Sequence, residues 1–368
     1  MKQFDYNKVK DPEFFRENRL DAHSDHVWFR NGKEAESGKS SFRLNLNGLW
    51  KFAYAPNYES ALKGFEAEDY DCRGWADIRV PAHIQMEGYD RPQYANVQYP
   101  WDGWQEAEPG QIPERFNPVA SYVKYFEVPE HWQGQPVFIS FQGVESALAL
   151  WCNGSYVGYS EDTFTPAEFD LTPYIKAGEN KLAARVFKWS SSSWCEDQDF
   201  FRFSGIFRDV YLYTVPKVHI MDVKVQTLLD DSFQRAELVL DLKAAKAGKL
   251  RAALIQEERS FRFDSALRAN TGLVTDRQIV AELSAVLNQE SHLVIPVEKP
   301  LLWSAEEPNL YKLELEVFDD EDRMQEVIPV QVGFRRFEIA DGLMKLNGRR
   351  IVFKGVNRHE FSSRTGRV

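Results

Sequence analysis

The sequence predicts a mainly β protein built as a jelly-roll sandwich, then an immunoglobulin-like β-sandwich, then the first strand region of a (β/α)8 barrel. Three observations predict it. Short alternating apolar runs are separated by turn dipeptides, with little helical periodicity, which is the pattern of β-sandwiches. The character of the chain shifts near Val215-Pro216, where about six further alternating runs begin. A last apolar run, Ile351 to Val356, reads as a buried strand carrying the polar string N-R-H-E at its carboxyl end. That is how an α/β unit opens, although a complete barrel of this kind takes about 250 residues.

The 368 residues suggest about two to three domains. Residues 1–40 are polar and read as an extended arm, with Phe14, Phe15, Trp28 and Phe29 seeking a partner surface. His23 and His26 sit among acids at metal-ligand spacing, but a solvated arm is the expectation. Residues 41–215 form the jelly roll. Its strands include 44–54, expected to turn at Asn47-Gly48, and 147–159, expected to turn at Asn153-Gly154, since Asn-Gly suits the positive φ angles of a tight hairpin. Val137 to Gln142, Lys181 to Trp189 and Val210 to Val215 complete the set. Residues 216–332 form the second sandwich, from Val218–Thr227, Arg235–Leu242, Leu250–Gln256, Leu293–Val297, Leu310–Phe318 and Val327–Gly333. Without reactive clusters it reads as a spacer. Residues 333–368 carry a hairpin at Asn347-Gly348 and the opening of the barrel.

Composition narrows the function. There are 45 basic and 56 acidic residues, a net charge of −11 and no basic block, which argues against nucleic acid and anionic membrane as partners. Cys72, Cys152 and Cys195 are far apart and odd in number, so neither a disulfide framework nor a zinc site is indicated. No apolar run reaches the roughly 18 residues of a membrane span, and the N-terminus lacks a secretory pattern; a cytoplasmic protein is expected. Ten tryptophans suit either core or ring-stacking platforms, and most should be core.

One stretch gathers chemistry. Trp189 to Val210 packs Glu196, Asp197, Asp199, Arg202 and Arg208 among six aromatic rings, so something polar is expected to be held there against apolar walls, with sugars the obvious candidates. Asp197 and Asp199, two apart on a strand, project to one side and could pass for a catalytic pair. Alternatively, Asp199 bridges Arg202 or Arg208 structurally.

Several strings carry a resemblance: V-P-A-H-I-Q-M-E-G-Y-D-R-P-Q-Y-A-N-V-Q-Y-P (80–100), W-C-N-G-S-Y-V-G-Y-S-E-D (151–162), E-F-D-L-T-P-Y-I-K-A-G-E-N-K-L (168–182), E-D-Q-D-F-F-R-F-S-G-I-F-R-D-V (196–210), L-W-S-A-E-E-P-N-L-Y (302–311) and G-V-N-R-H-E (355–360). In order and spacing they resemble glycoside hydrolase family 2, and the E-D-Q-D string resembles its β-galactosidase branch. The resemblance implies an arm, a jelly-roll sugar-binding domain, an immunoglobulin-like domain and a catalytic barrel in that order. It implies a retaining mechanism whose two glutamates lie in the barrel beyond G-V-N-R-H-E, so the chain is expected to be inactive alone, with no catalytic residue of its own. It implies that Asn96, Asp199 and His359 bind the galactoside, and that Asp199 also ligates sodium. Magnesium is implied for the full-length enzyme through ligands outside this chain, as is a homo-oligomer, possibly a tetramer. The segment 101–118 departs from the family pattern by extra Trp and acidic residues, so the aglycone side is expected to differ. The competing expectation is a stand-alone lectin-like module using the Trp101–Trp104 and Trp189–Phe203 region.

Overall fold

The computed structural model describes the chain except residues 1–2, 104, 109, 197–198 and 265–268, with backbone alone over 258–264 and 269–275. The chain divides into two compact units. One comprises Met1–Ala22, Arg43–Thr214 and Asn357–Val368; the other His23–Phe42 and Val215–Val356.

The first unit is the jelly roll. A seven-stranded sheet runs in the order Arg16–Glu17, Ser155–Glu161, Ala147–Cys152, Glu179–Phe187, Val119–Glu127, Gly48–Ala55 and Ala76–Val80. It faces a four-stranded sheet of Ala167–Asp170, Phe138–Phe141, Val210–Tyr213 and Arg43–Asn45. Between them lie Trp50, Phe52, Tyr122, Phe141, Leu150 and Phe169, all buried. The outer face of the large sheet is covered too, by Phe4, Tyr6 and Phe14 of the arm and by Phe65. Each large apolar side chain so buried contributes about 1.5–3 kcal/mol. Burial on both faces explains why A-L-A-L-W-C, all six residues buried, lacks strict alternation.

Asn153-Gly154 is the expected two-residue turn: Cys152 pairs with Ser155, and both turn residues have positive φ, 48° and 79°. Asn47-Gly48 is not a hairpin. Arg43–Asn45 pairs with Val210–Tyr213 in the small sheet, whereas Gly48–Ala55 enters the large one. The dipeptide carries the chain between layers, and Asn47 Oδ1 accepts the Val210 N–H at 2.9 Å.

The second unit is the immunoglobulin-like sandwich. Ile220–Leu229, Arg235–Ala244 and Glu290–Glu298 form one sheet, and Ala269–Leu287, Gly248–Asp264, Tyr311–Phe318 and Met324–Val332 the other. The strand Ala269–Leu287 has no counterpart in the sequence reading. Its pairing with Gly248–Asp264 extends well past Ile255, the last residue of that strand that also pairs with Tyr311–Phe318. Past Ile255 the described side chains Gln256, Glu257 and Asp276 to Ile279 are not buried, and they leave no apolar period to read.

Residues 23–42 belong to this unit rather than to a solvated arm. Trp28 Nε1 donates to the Ile220 carbonyl at 2.8 Å, and the His26 ring packs 4.6 Å from the Trp28 ring. Burial pushes the His26 imidazole down to about 4, with the nearby His23 adding to the effect.

The hairpin at Asn347-Gly348 forms, pairing Leu346 with Arg349. Ile351 to Val356 does not form the expected buried strand; residues 351–360 have no regular structure and 352–360 are exposed. A parallel barrel strand is held by neighbours on both sides; here, among the described residues, Ile351 donates one backbone hydrogen bond to the Met344 carbonyl at 3.0 Å and no strand pairs with the segment. No helix among the described residues is long and apolar enough to cross a membrane.

Candidate functional site

The acid-rich stretch is organised by a two-stranded ribbon separate from both sheets. Gln93–Ala95 runs antiparallel to Phe200–Arg202, pairing Gln93 with Arg202, Tyr94 with Phe201 and Ala95 with Phe200. Asn96 follows the one strand directly and Asp199 precedes the other, so each flanks the Ala95–Phe200 end of the ribbon. These two predicted residues, 103 apart in sequence, thus flank the same end of the ribbon, and both are exposed. The Tyr94 hydroxyl donates to Asp199 Oδ1. That bond holds the Tyr94 phenol above its ordinary value.

The arginines proposed to bridge Asp199 both donate to backbone carbonyls. Arg202 Nη1 donates to the Glu196 carbonyl at 3.1 Å and Arg208 Nη1 to the Phe164 carbonyl at 2.7 Å. Glu196 turns inward, where its carboxylate accepts the Thr163 N–H at 2.8 Å and the Thr163 hydroxyl at 2.6 Å. Burial pushes its carboxyl up. Asp197 lies outside the described residues, so the Asp197–Asp199 pair is not described.

His359 is exposed, two residues before Phe361, whose ring lies 4.7 Å from that of Phe201 in the ribbon. The same segment returns to the ribbon through Arg367, which donates to the Phe201 carbonyl at 2.9 Å. The segment bearing His359 and the strand following Asp199 are thus joined directly. Tyr94 and Arg367 were not singled out from sequence, because their partners lie 105 and 166 residues away.

The tryptophans divide. Trp101 is 3% exposed and stacks on Tyr99, with centroids 5.3 Å apart and planes 5° apart. It also meets Trp194 at 5.1 Å and Trp189 at 5.6 Å. This is a packed cluster rather than an exposed platform, and Trp104 lies outside the described residues. Beside it an open cleft of about 950 Å³ is lined by Tyr54, Tyr89, Arg91, Trp101, Lys188 and Trp189 among others. Lys188 Nζ and Asp90 Oδ2 pair there at 2.6 Å, with side chains 0% and 6% exposed.

Among the described residues no group of three or more His, Cys, Asp or Glu could hold a metal. Asp199 offers one hard, exposed carboxylate. A cation preferring oxygen needs several ligands, so the residues present fit one ligand of a sodium site and no more. No magnesium ligand can be assigned.

The fold and site define a mainly β, two-sandwich protein whose jelly-roll unit presents an amide and a carboxylate flanking one end of a ribbon. Three consecutive family models match the chain: the sugar-binding domain of glycosyl hydrolases family 2 over residues 43–216, a second domain of that family over 218–335, and its TIM-barrel domain over 337–368. The chain belongs to glycosyl hydrolase family 2. It is 50% identical over 362 residues to a β-galactosidase of Halalkalibacterium halodurans and 46% identical over 363 residues to one of Streptococcus thermophilus, matching 98% of this chain in each case. The chain spans about a third of these relatives, 34% of each. A β-galactosidase large subunit of Lactobacillus helveticus is 39% identical over 378 residues, with 99% of this chain and 58% of that protein covered. Among solved structures, a β-glucuronidase from Ruminococcus gnavus superposes with a TM-score of 0.65 at 18% identity, covering 89% of this chain and 52% of that one, a likeness of fold alone. These matches do not favour a stand-alone lectin-like module.

Proposed function

We propose that this chain supplies the sugar-binding wall of a retaining β-galactosidase that hydrolyses terminal β-D-galactosides such as lactose. The reading is supported by one observation above others: the ribbon whose Ala95–Phe200 end is flanked by Asn96 and Asp199, both exposed. An amide offers donor and acceptor together, a carboxylate accepts only, and the pair can grip adjacent ring hydroxyls in one orientation. His359 approaches from the segment held against the same ribbon and adds a contact to the sugar. Asp199 serves also as one sodium ligand, and a bound cation would supply a fixed positive charge for a sugar oxygen.

Bond cleavage falls to two glutamates that this chain does not contain. One protonates the glycosidic oxygen while the other forms the galactosyl-enzyme. Asn96, Asp199 and His359 hold the ring in position for that attack, and the chain alone is inactive. A cytoplasmic location, a homo-oligomer and magnesium bound outside this chain belong to the same proposal.

The test compares this chain with the full-length protein on a nitrophenyl β-galactoside. Turnover that galactose inhibits is expected from the full-length protein alone. Turnover by the pure chain, or none by the full-length protein, contradicts the proposal.

A further inference from the structure

Arg367 occupies a site built to hold one guanidinium. Its centre lies 4.7 Å from the Phe200 ring centroid, 5.2 Å from Phe203, 5.6 Å from Phe164 and 5.8 Å from Phe207. Nη2 donates to Glu145 Oε2 and Nη1 to the Phe201 carbonyl at 2.9 Å. The two charged side chains are 15% and 10% exposed. A planar cation with two directed donors and a stackable face fits this cage, whereas a lysine ammonium offers a point charge without the fork.

The turn that presents Arg367 is equally specified. Ser362 and Gly366 exchange backbone hydrogen bonds at 2.7 and 2.9 Å. Gly366 has φ +72°, and a Cβ added there would lie 2.6 Å from His83 Cδ2. His83 is itself stacked 4.4 Å from Phe203 and 5.0 Å from Phe207, forming the floor beneath the cage.

We infer that Arg367 is a positioning residue that sets where Asp199 stands, by tying the ribbon strand Phe200–Arg202 to Glu145 and to the segment that carries His359. This rests on the reading of Asp199 as a sugar and sodium ligand. Arg367 touches no substrate in this assignment. It acts through the Phe201 carbonyl, two residues from Asp199, and through its own turn, which begins three residues after His359. Removing the fork releases both ends of the wall while the sandwich core, whose buried side chains lie elsewhere, keeps its packing.

The test uses Arg367→Lys, with Glu145→Gln as a second way to cut the tie. In the full-length protein the KM for a galactoside and the sodium concentration for half-activation should each rise about tenfold, with kcat lowered less, as expected when binding geometry is lost. In the present chain, amide hydrogen exchange over residues 200–202 and 361–367 should quicken about tenfold, and exchange in Ala147–Cys152 should not change. Unchanged exchange over 200–202 in both variants overturns the inference, as does unchanged KM with unchanged sodium response. If the full-length protein proves inactive on galactosides, the proposed function falls, and the exchange experiment still decides whether Arg367 holds the ribbon.

Discussion

Asp90→Ala should destabilise the jelly-roll unit more than any surface change of similar size. Asp90 Oδ2 is 2.6 Å from Lys188 Nζ and accepts from Gln85 Nε2 at 2.9 Å. Its removal leaves the Lys188 ammonium, on a side chain 0% exposed, without its anion. Breaking a buried pair from one side costs about 3–5 kcal/mol, against a total stability of about 5–15 kcal/mol for a domain. Gln85 keeps its second partner, Ser204 Oγ at 2.8 Å, so the loss at that amide is small. The paired replacement Asp90→Leu with Lys188→Met removes both charges and should lie within about 1–2 kcal/mol of the parent. Urea unfolding followed by tryptophan fluorescence measures this directly, because all ten tryptophans except Trp28 and Trp303, hence eight, fall in this unit. A loss below about 1 kcal/mol for Asp90→Ala, the range of exposed pairs, would refute the assignment of a buried, mutually dependent pair.

Two further predictions concern pH. Burial, with the neighbouring Arg367 second, pushes the His83 imidazole down to about 3 from the ordinary 6.5. The unfolded chain therefore takes a proton that the folded chain refuses. Stability from this group is present above about pH 6.5 and lost as pH falls toward 3, at up to about 1.4 kcal/mol per pH unit. His83→Asn should flatten that part of the stability profile measured by urea unfolding from pH 7 to 4; an identical slope would remove His83 as its source. In the second unit, Glu326 is 0% exposed and accepts the Ile220 N–H at 2.7 Å. Burial pushes its carboxyl well above the ordinary 4.5, so the folded state retains a proton that the unfolded state releases, and stability falls as pH rises above 4.5. Glu326→Gln supplies a neutral isostere and should raise the Tm at pH 8 while changing it little near pH 4.5; a lowered Tm at pH 8 would contradict this.

The fold was legible where one local pattern had one structural meaning. Asn153-Gly154 sits between two strands of one sheet and makes its turn from its own backbone preferences. Asn47-Gly48 has the same preferences, but its flanking strands are claimed by different sheets, and that competition is decided by residues far along the chain. Ile351 to Val356 has the composition of a buried strand, yet a strand exists only through partners, and no described strand pairs with it. The same distinction runs through the site. Asn96, Asp199 and His359 were proposed through motif strings, whereas the ribbon whose end Asn96 and Asp199 flank depends on ladder pairing between segments over a hundred residues apart. Tyr94, Arg367 and the Lys188–Asp90 pair left no local signal, because each acquires its role only through a distant partner. Trp101 illustrates the reverse case. Its neighbourhood suggested an exposed aromatic face, and the ring is packed among Tyr99, Trp189 and Trp194 instead.

The most direct test of the sugar-binding wall is the galactoside KM of the full-length protein, measured with and without sodium, for the parent and for Asp199→Ala. Loss of hydrogen bonds to a charged partner, about 1.5–3 kcal/mol, corresponds to a KM about tenfold to 150-fold higher. The account predicts a rise in that range together with loss of the sodium response. A variant with the parent's KM and the parent's sodium response would remove Asp199 from the site and contradict the central claim.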